Sequence, residues 1–291
     1  MSISKSVVHK RRRLTSNSCG TEQYWDQAAL FYDKEIVDNL DQSISFCASQ
    51  SKVSPLVSAI EAAENKNVVA CDFGCGPGRH IPLLASHFQH VIGVDISNSL
   101  LKLARTDTKM SSIELSLFHR DLGKTLMTTS EAQEIRSSQG VQPRFGLCTN
   151  VLIMPQKKLW SNILKNIAQV LASQSKCVFL VPSLESALFC NSRLARWDEQ
   201  SAKTEGIPTS KKKSAANILN GIIPRDGVPH KHWLKESFFD TLRCHGFEPL
   251  EVQKVEYSWD TEMDSEELAS APSEITNGPF PWDWLVVTEV R

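Results

Sequence analysis

From about residue 68 onwards, two kinds of hydrophobic pattern alternate along the chain. Short runs such as "VVACDF" and "VIGVDI" are almost entirely apolar, whereas the segments between them carry apolar residues every three to four positions. The first pattern is typical of strands buried on both faces of a sheet, and the second of amphipathic helices. Their alternation predicts an α/β fold in which helices cover both faces of a mostly parallel, doubly wound sheet.

The pattern predicts seven strands, and the last two follow each other without a helix. The seven are "NVVACDF", "HVIGVDI", "IELSLFH", "FGLCTNVLI", "KCVFLVP", "EPLEVQKVEYSW" and "WDWLVVTEV". Parallel neighbours need a crossover connection, usually a helix, so the sheet is expected to end in an antiparallel strand pair. Before the sheet, helical spacing from Glu22 predicts an N-terminal helical cap. One face of this helix carries Trp25, Ala28, Ala29, Tyr32 and Ile36.

Two segments interrupt the alternation. Residues 123–143 form a polar loop, and residues 183–232 form a longer insertion whose Asp-Gly pair at 226–227 predicts a hairpin turn. Insertions after strands at the carboxyl edge of such sheets build substrate pockets, so we expect an inserted lid here. We interpret residues 22–291 as a single domain with this lid, and residues 1–21 as a disordered basic tail.

The composition is that of an ordinary globular protein, with 41% hydrophobic residues, 22% charged residues and a net charge of -1. The balanced charge gives no support for a nucleic-acid partner, and no apolar run approaches the ~20 residues of a membrane span. Eight scattered cysteines favour buried thiols in a reducing compartment, and hence a cytoplasmic location. The basic "HKRRRL" near the N-terminus leaves a nuclear or organellar targeting signal open.

The stretch "DFGCGPGRH", residues 72–80, carries the candidate chemistry. Its first three letters spell the metal-binding triplet of protein kinases, but "HRDL" follows the triplet here, whereas the kinase catalytic loop precedes it. Cys71 and Cys75 lack a second ligand pair at zinc spacing, so no metal site is expected. A glycine loop between a strand and a helix instead suits a ligand with an anionic group, to which the helix N-terminus offers its amides.

The loop departs from the dinucleotide-binding pattern. Arg79 occupies the third glycine position of G-x-G-x-x-G, and Pro77 removes an amide that a pyrophosphate would use. The loop therefore favours a ligand with a single carboxylate. Asp95 ends the second strand about 20 residues beyond the loop, where it can accept hydrogen bonds from both hydroxyls of a ribose. Asp121 follows the third strand and either bonds an adenine amino group or caps a turn.

These motifs resemble those of the class I S-adenosylmethionine-dependent methyltransferases, and in particular their type-11-like small-molecule group. "DFGCGPG" is similar to the first motif of the family, "VIGVDIS" to the second strand with its ribose-binding acid, and "FHRDL" and "FGLCTNVLIMP" to the third and fourth motifs. The resemblance covers roughly residues 22–182. It implies a Rossmann-like fold, an enzyme, and S-adenosylmethionine as the cofactor.

The resemblance also implies which residues bind the cofactor. By this resemblance, Gly74 and Gly76 line the methionine part of the cofactor, and Asn150 lies beneath its sulfonium. Asp95 binds the ribose, and Asp121 with Leu122 binds the adenine. Tyr32 closes over the cofactor, and Asp72 and Ile96 complete the set of cofactor-binding residues.

The methyl acceptor is expected to be a small molecule that accepts on N, O or S. The fourth strand ends in "TNVL" and lacks the Asn/Asp-Pro-Pro-aromatic signature of enzymes that methylate exocyclic amines of bases or glutamine amides. A protein or peptide methyltransferase and a non-catalytic cofactor-binding module are the alternatives. His230 and His232, just before Trp233, are the candidate catalytic residues, because an imidazole could accept a proton from the acceptor. We expect a monomer or homodimer.

Overall fold

The fold is described from a computed structural model. The structure describes residues 19–30, 32, 38–63, 68–107, 114–136, 140–205, 219–225, 228–262, 269, 271, 273 and 277–291. Its helices are α1 (Glu22–Ala28), α2 (Asp38–Ser49), α3 (Pro55–Ala62), α4 (Ile81–His87), α5 (Asn98–Asp107), α6 (Thr129–Glu134), α7 (Lys157–Val170), α8 (Leu184–Glu205) and α9 (Lys235–Cys244). Its strands are β1 (Val69–Phe73), β2 (His90–Asp95), β3 (Glu114–His119), β4 (Phe145–Thr149), β5 (Lys176–Pro182), β6 (Ile222–Arg225), β7 (Val228–Lys231), β8 (Phe247–Glu256) and β9 (Trp282–Val290).

Seven of these strands form one sheet in the order β3-β2-β1-β4-β5-β9-β8. Strands β1 to β5 run parallel, and β9 pairs antiparallel with both β5 and β8. The chain starts at β1 and winds outwards in both directions, so the order reverses between β1 and β4. In such sheets ligands bind at the carboxyl ends of the strands at this switch point. The predicted fold class is confirmed.

Hydrophobic side chains cover both faces of the sheet. On one face, α3 and α4 contribute the buried residues Leu56, Ile60, Ile81 and Leu84. On the other face, α7 and α9 contribute Trp160, Ile163, Phe238 and Leu242. Successive residues of a strand point to opposite faces, which explains why nearly every residue of β1 and β4 is apolar. No helix in the described part of the chain is long and apolar enough to span a membrane.

Most of the cysteines are buried in the same hydrophobic core. All eight are free thiols; seven are buried, and Cys244 alone is exposed. Cys71 on β1, Cys148 on β4 and Cys177 on β5 are at most 1% exposed in the sheet interior. The sequence-based prediction of buried thiols is confirmed for these positions.

The N-terminal cap is broken where the sequence pattern predicts one continuous helix. α1 starts with Thr21 as its cap, whose side chain accepts a hydrogen bond from the amide of Tyr24, and it ends at Ala28. Periodicity identifies residues that share a face, but a short helix persists only while that face is buried. Leu30, with 82% exposure, lies beyond the end of the buried face. Ile36 lies outside the described residues.

The insertion at residues 183–232 contains a helix that the sequence pattern did not predict and a hairpin that it did predict. Its first half is α8, whose Phe189 and Cys190 pack around the buried Trp259. Its second half is the β6–β7 hairpin, which pairs antiparallel as predicted, although the turn at residues 226–227 lies outside the described residues. The polar loop at 123–143 also contains a helix, α6, which Thr128 and Glu131 open with a capping box.

The β6–β7 hairpin lies at the carboxyl edge of the sheet. The amide of Lys231 donates to the carbonyl of Ile153, 2.6 Å away, in the segment that follows β4. The amide of Trp233 donates to the carbonyl of Pro182 at the end of β5, 2.8 Å away. The hairpin is therefore fixed beside the ends of β4 and β5, as the sequence predicts for a lid.

Two asparagines of α7 hold the turn after β3 in place. The buried side chain of Asn166 donates to the carbonyls of Leu122 and Thr125, both 2.8 Å away, and accepts from the amide of Met127 at 2.9 Å. One turn earlier, Asn162 donates to the carbonyl of Gly123 at 2.9 Å. The backbone of residues 122–127 is thus held by side chains of a helix and not by backbone hydrogen bonds to a neighbouring strand.

We expect Asn166→Ala to lower the free energy of unfolding by roughly 2–4 kcal/mol, because it leaves three backbone groups, two of them buried, without their partner. Asn162→Ala serves as the matched control and should cost only about 1–2 kcal/mol, since it removes one good hydrogen bond. Urea denaturation of both variants measures the difference. Equal losses in the two variants would contradict the role assigned to Asn166.

Candidate active site

The loop between β1 and α4 turns tightly, as its glycines predict. Gly74, Gly76 and Gly78 have φ angles of 77°, 53° and 87°, in the left-handed region that favours glycine. Each glycine also makes room for a protein side chain. A Cβ on Gly74 would meet Val151, one on Gly76 would meet the hydroxyl of Tyr32 at 3.1 Å, and one on Gly78 would meet α5.

The amides of this loop do not point at a ligand, which corrects the expectation from the sequence. The amides of Gly74 and Cys75 donate to the carbonyl of Val94, and that of Gly78 donates to the carbonyl of Cys75. The amide of Gly76 donates to Asp95 Oδ2, 2.9 Å away. The loop winds around the end of β2, so these four donors are used within the protein and cannot cradle a carboxylate.

Asp95 lies at the carboxyl end of β2 and is only 7% exposed. Its Oδ1 accepts from the amide of Ser97 at 2.7 Å, and its Oδ2 from the amide of Gly76. Burial raises the pKa of Asp95 to about 6, although these two hydrogen bonds act in the opposite direction. A carboxylate has about four lone-pair positions, so both oxygens retain capacity to accept further hydrogen bonds.

Asp72 and Asn150 present buried polar atoms without a protein partner. Asp72 in β1 is fully buried, and neither of its carboxylate oxygens has a hydrogen-bond partner among the described residues. Burial, and then the charge of Asp95, raises the pKa of Asp72 to about 8. Asn150 directly follows β4, has a φ of 55°, and also carries a buried side-chain oxygen without a partner. Such groups are costly in a folded protein and point to a ligand.

Tyr32 lies over the glycine loop. Its hydroxyl faces Gly76, and its ring lies 6.5 Å from that of Trp25. Burial, followed by the charge of Asp95, raises the pKa of Tyr32 well above its usual value. Tyr32 therefore remains a neutral phenol that covers the glycine loop.

Ile96, Asp121 and Leu122 lie on the far side of β2. The carbonyl of Ile96 accepts from the ring of His119 at 2.8 Å, and Leu122 is buried. Asp121 Oδ1 accepts from the amides of Gly123 and Lys124, at 2.9 and 3.0 Å. Asp121 thus caps the turn after β3, one of the two roles that the sequence left open.

His230 and His232 lie on and just after β7, and each ring contacts the hairpin backbone. His230 Nδ1 lies 2.9 Å from the carbonyl of Val228, and His232 Nδ1 lies 3.3 Å from that of His230. A carbonyl only accepts, so Nδ1 carries the proton in each neutral ring and Nε2 carries the lone pair. Both side chains are half-buried.

The hairpin sequence also predicts that Trp233 lies together with the two histidines, but the structure places its side chain in the core. It is 2% exposed, its indole N–H donates to the carbonyl of Leu152 at 2.9 Å, and its ring packs against Trp160 and Phe238. Trp233 alternates with the histidines along the strand, so its side chain is directed into the core.

Sequence reasoning missed Ser97 and Asp26. Ser97 is fully buried beside Asp95, and Asp26 of α1 accepts hydrogen bonds from the Ser97 hydroxyl and from the amide of Ser99. A serine directly after the second strand signals only the start of a helix, and nothing in the sequence pattern links Asp26 to it across 71 positions. Among the described residues, no group of three or more His, Cys, Asp or Glu side chains could hold a metal ion.

Known proteins resemble this chain in one domain and in the fold. Residues 70–174 match the family model described as a methyltransferase domain. No curated protein matches the chain. Among solved structures, an S-adenosylmethionine-dependent methyltransferase from Anabaena variabilis is similar with a TM-score of 0.56 at 16% identity, covering 93% of each chain.

Two further solved structures are similar. A Methanosarcina mazei S-adenosylmethionine-dependent methyltransferase has a TM-score of 0.51 at 15% identity, covering 82% of this chain and 98% of that chain. The complex named DhpI-SAM-HEP has a TM-score of 0.52 at 14% identity, covering 91% and 94%. At these identities the likeness concerns the fold.

The fold is that of the class I S-adenosylmethionine-dependent methyltransferases, and the family match covers the glycine loop, Asp72, Asp95, Asp121 and Asn150 but not Tyr32 or the hairpin histidines. Residues 70–174 accordingly form a methyltransferase domain, as the resemblance of the motifs implies.

The unpartnered carboxyl of Asp72 predicts a stability that falls as pH rises. Its folded pKa of about 8 lies above the value of about 4 in an unfolded chain, so the folded state holds the proton more tightly. The contribution of Asp72 to stability is therefore greatest below pH 4 and decreases by up to ~1.4 kcal/mol per pH unit until about pH 8.

We expect Asp72→Asn to remove this dependence and to raise the melting temperature of the ligand-free protein, with a gain that grows between pH 5 and pH 8. Thermal melts at several pH values measure it. Asp240→Asn is the matched control, because this side chain is 79% exposed and its variant should follow the wild type. A gain that does not change with pH would show that Asp72 does not titrate in this range.

Proposed function

We propose that this enzyme transfers the methyl group of S-adenosylmethionine to the N, O or S atom of a small-molecule acceptor. The observation that carries the proposal is the pair of acids Asp72 and Asp95 at the carboxyl edge of the sheet. Both are buried, and no described basic side chain hydrogen-bonds either one. Two buried carboxyls to which no described basic side chain is hydrogen-bonded favour a ligand that brings positive charge. S-adenosylmethionine carries two such charges, on its sulfonium and its α-ammonium.

The predicted cofactor residues fit the parts of this ligand. Asp95 has the acceptor capacity to bind both ribose hydroxyls while it keeps its bonds to Gly76 and Ser97. Asp72 and Asn150 offer buried oxygens, one at the end of β1 and one after β4, to the cationic methionine part. Tyr32 excludes water above Gly76. Ile96, Asp121 and Leu122 would border the adenine, with Asp121 Oδ2 available as the carboxylate oxygen that does not cap the turn.

The proposed chemistry requires alignment more than a nucleophile. When bound, S-adenosylmethionine supplies a methyl group that its positive sulfur already activates. The chain aligns the reacting atoms and excludes water, which contributes up to ~7–11 kcal/mol in favourable cases. The β6–β7 hairpin beside the ends of β4 and β5 supports an acceptor site at this edge.

The hairpin histidines are proposed to handle the acceptor's proton. In the neutral tautomer, Nε2 of His232 or His230 is the basic nitrogen, and the backbone carbonyl bonded to Nδ1 holds the ring orientation. An imidazole base of this kind deprotonates an amine or hydroxyl as it is methylated. A small acceptor fits a half-buried hairpin better than a peptide does, because the hairpin backbone is bonded down at Ile153 and Pro182.

Binding of S-adenosylmethionine at pH 7 is expected to release about one proton. The ligand's cation favours ionised Asp72, whose pKa of about 8 leaves it largely protonated in the free protein. The affinity should therefore rise up to ~10-fold per pH unit between pH 6 and pH 8. Calorimetry in buffers of different ionisation enthalpy counts the released protons.

Asp72→Asn should bind more weakly and release no proton in this range, whereas Asp240→Asn should behave as the wild type. Wild-type binding without proton release would contradict the assignment of Asp72. A wild-type protein with no affinity for S-adenosylmethionine would refute the proposed function itself.

His232→Ala, and to a lesser degree His230→Ala, should lower turnover by ~10²-fold while the dissociation constant of S-adenosylmethionine stays within about a factor of two. The acceptor is identified first, by profiling extracts with a methyl-labelled donor. His90→Ala is the control, because this histidine starts β2 at the opposite edge of the sheet. Wild-type turnover of both hairpin variants between pH 6 and 9 would exclude a proton-transfer role. Label found only in the protein fraction would favour a peptide acceptor.

A further inference from the structure

The N-terminal segment of residues 19–28, which we call the N-terminal strap, contacts both sides of the site. On the hairpin side, Cys19 Sγ lies 3.8 Å from the carbonyl oxygens of Ile153 and Pro229. The indole N–H of Trp25 donates to the carbonyl of Cys19 at 2.8 Å and closes this end of the strap. Cys19 is fully buried, so the first residue of the strap is packed inside the domain beside the hairpin.

The other end of the strap is bonded to the start of α5 through Asp26. Its Oδ1 accepts from the hydroxyl of Ser97 and from the amide of Ser99, the latter at 3.1 Å. A second tie joins Glu22 to the ring of His119 at 2.9 Å, but both of these side chains are nearly half exposed. An exposed pair of this kind contributes little, so Asp26 is the principal contact.

Ser97 connects Asp26 to Asp95. The amide of Ser97 donates to Asp95 Oδ1, its hydroxyl donates to Asp26, and its oxygen accepts from the amide of Leu100 at 3.1 Å. Every polar group of this buried side chain is therefore engaged. The hydrogen-bonded path continues from Asp95 Oδ2 to the amide of Gly76 in the glycine loop.

We infer that Asp26 is a positioning residue that fixes the carboxylate of Asp95 through Ser97. Docking of the N-terminal strap against the domain and binding of the cofactor are thereby coupled. The inference rests on the proposed function, in which Asp95 holds the ribose. Asp26 touches neither Asp95 nor the loop by a direct hydrogen bond, and its effect is transmitted by the Ser97 side chain. Strap seating at Cys19 extends the same coupling to the acceptor hairpin.

The charge of Asp26 distinguishes this role from simple helix packing. Burial opposes ionisation of Asp26, but the hydrogen bonds from Ser97 and Ser99 outweigh it and lower its pKa, so it remains ionised at neutral pH. This negative charge adds to the burial that raises the pKa of Asp95, and His119 acts in the opposite direction. The other groups that face Asp95 are Asp72 and Cys75 near β1 and the phenol of Tyr32.

The test compares Asp26→Ala and Asp26→Asn with the wild type. Asparagine keeps an oxygen that accepts from Ser97 and Ser99 but removes the charge, whereas alanine removes both. In the ligand-free protein, the pKa of Asp95 measured by carboxyl NMR should fall in both variants, because the negative charge of residue 26 is lost. At pH 8, where Asp95 is ionised in all three proteins, Asp26→Ala should bind S-adenosylmethionine ~10-fold more weakly and Asp26→Asn less than ~3-fold.

Glu61→Gln is the matched control, because Glu61 is an exposed acid on α3 and its loss removes the same charge from the protein. An unchanged Asp95 pKa in both Asp26 variants, or wild-type affinity of Asp26→Ala at pH 8, would overturn the inference. Failure of the wild-type protein to bind S-adenosylmethionine would refute the proposed function instead. In that case the pKa of Asp95 in the ligand-free protein still decides whether Asp26 acts on it.

Discussion

The constraint on which the site depends is the burial of acidic side chains at the carboxyl edge of a parallel sheet. Asp72 and Asp95 stand at the ends of β1 and β2, where neighbouring strands bring their termini together. Water is excluded by the same packing that stabilises the sheet, so burial, and then the charge of Asp95, disfavours the ionised form of Asp72. The glycine loop, Ser97 and the N-terminal strap are arranged around this pair. The fold thus carries a local electrostatic cost, and stability is lower than it would be with neutral residues there.

The parts of the structure that follow from burial were predictable from the sequence. Strands covered on both faces read as apolar runs, so β1, β2 and β5 could be predicted nearly to the residue. The switch point follows from the helical connections, and with it the placing of Gly74, Gly76 and Asp95. Here the sequence pattern and the tertiary structure depend on the same cause, the removal of apolar surface from water.

The parts that depend on specific long-range contacts were not predictable. The end of α1 at Ala28, the helix α8 and the support of residues 122–127 by Asn162 and Asn166 all rest on packing between distant segments. The orientation of the loop amides is of the same kind. A sequence shows that glycines permit a turn, but not that the Gly76 amide is bonded to Asp95. The capping box at Thr128 differs from these contacts, because its signature, a threonine followed three positions later by Glu131, is present in the sequence itself.

The buried cysteines bear on a hazard that any enzyme with an alkylating cofactor faces. A methyl donor reacts with thiolates, and Cys71, Cys75 and Cys148 lie on β1, in the glycine loop and on β4, around the site. Burial raises the pKa of each of these thiols far above the usual value. Because the thiolate rather than the thiol is the nucleophile, these sulfur atoms are poor nucleophiles at neutral pH. The same exclusion of water that raises the pKa of Asp72 and Asp95 therefore keeps these thiols protonated.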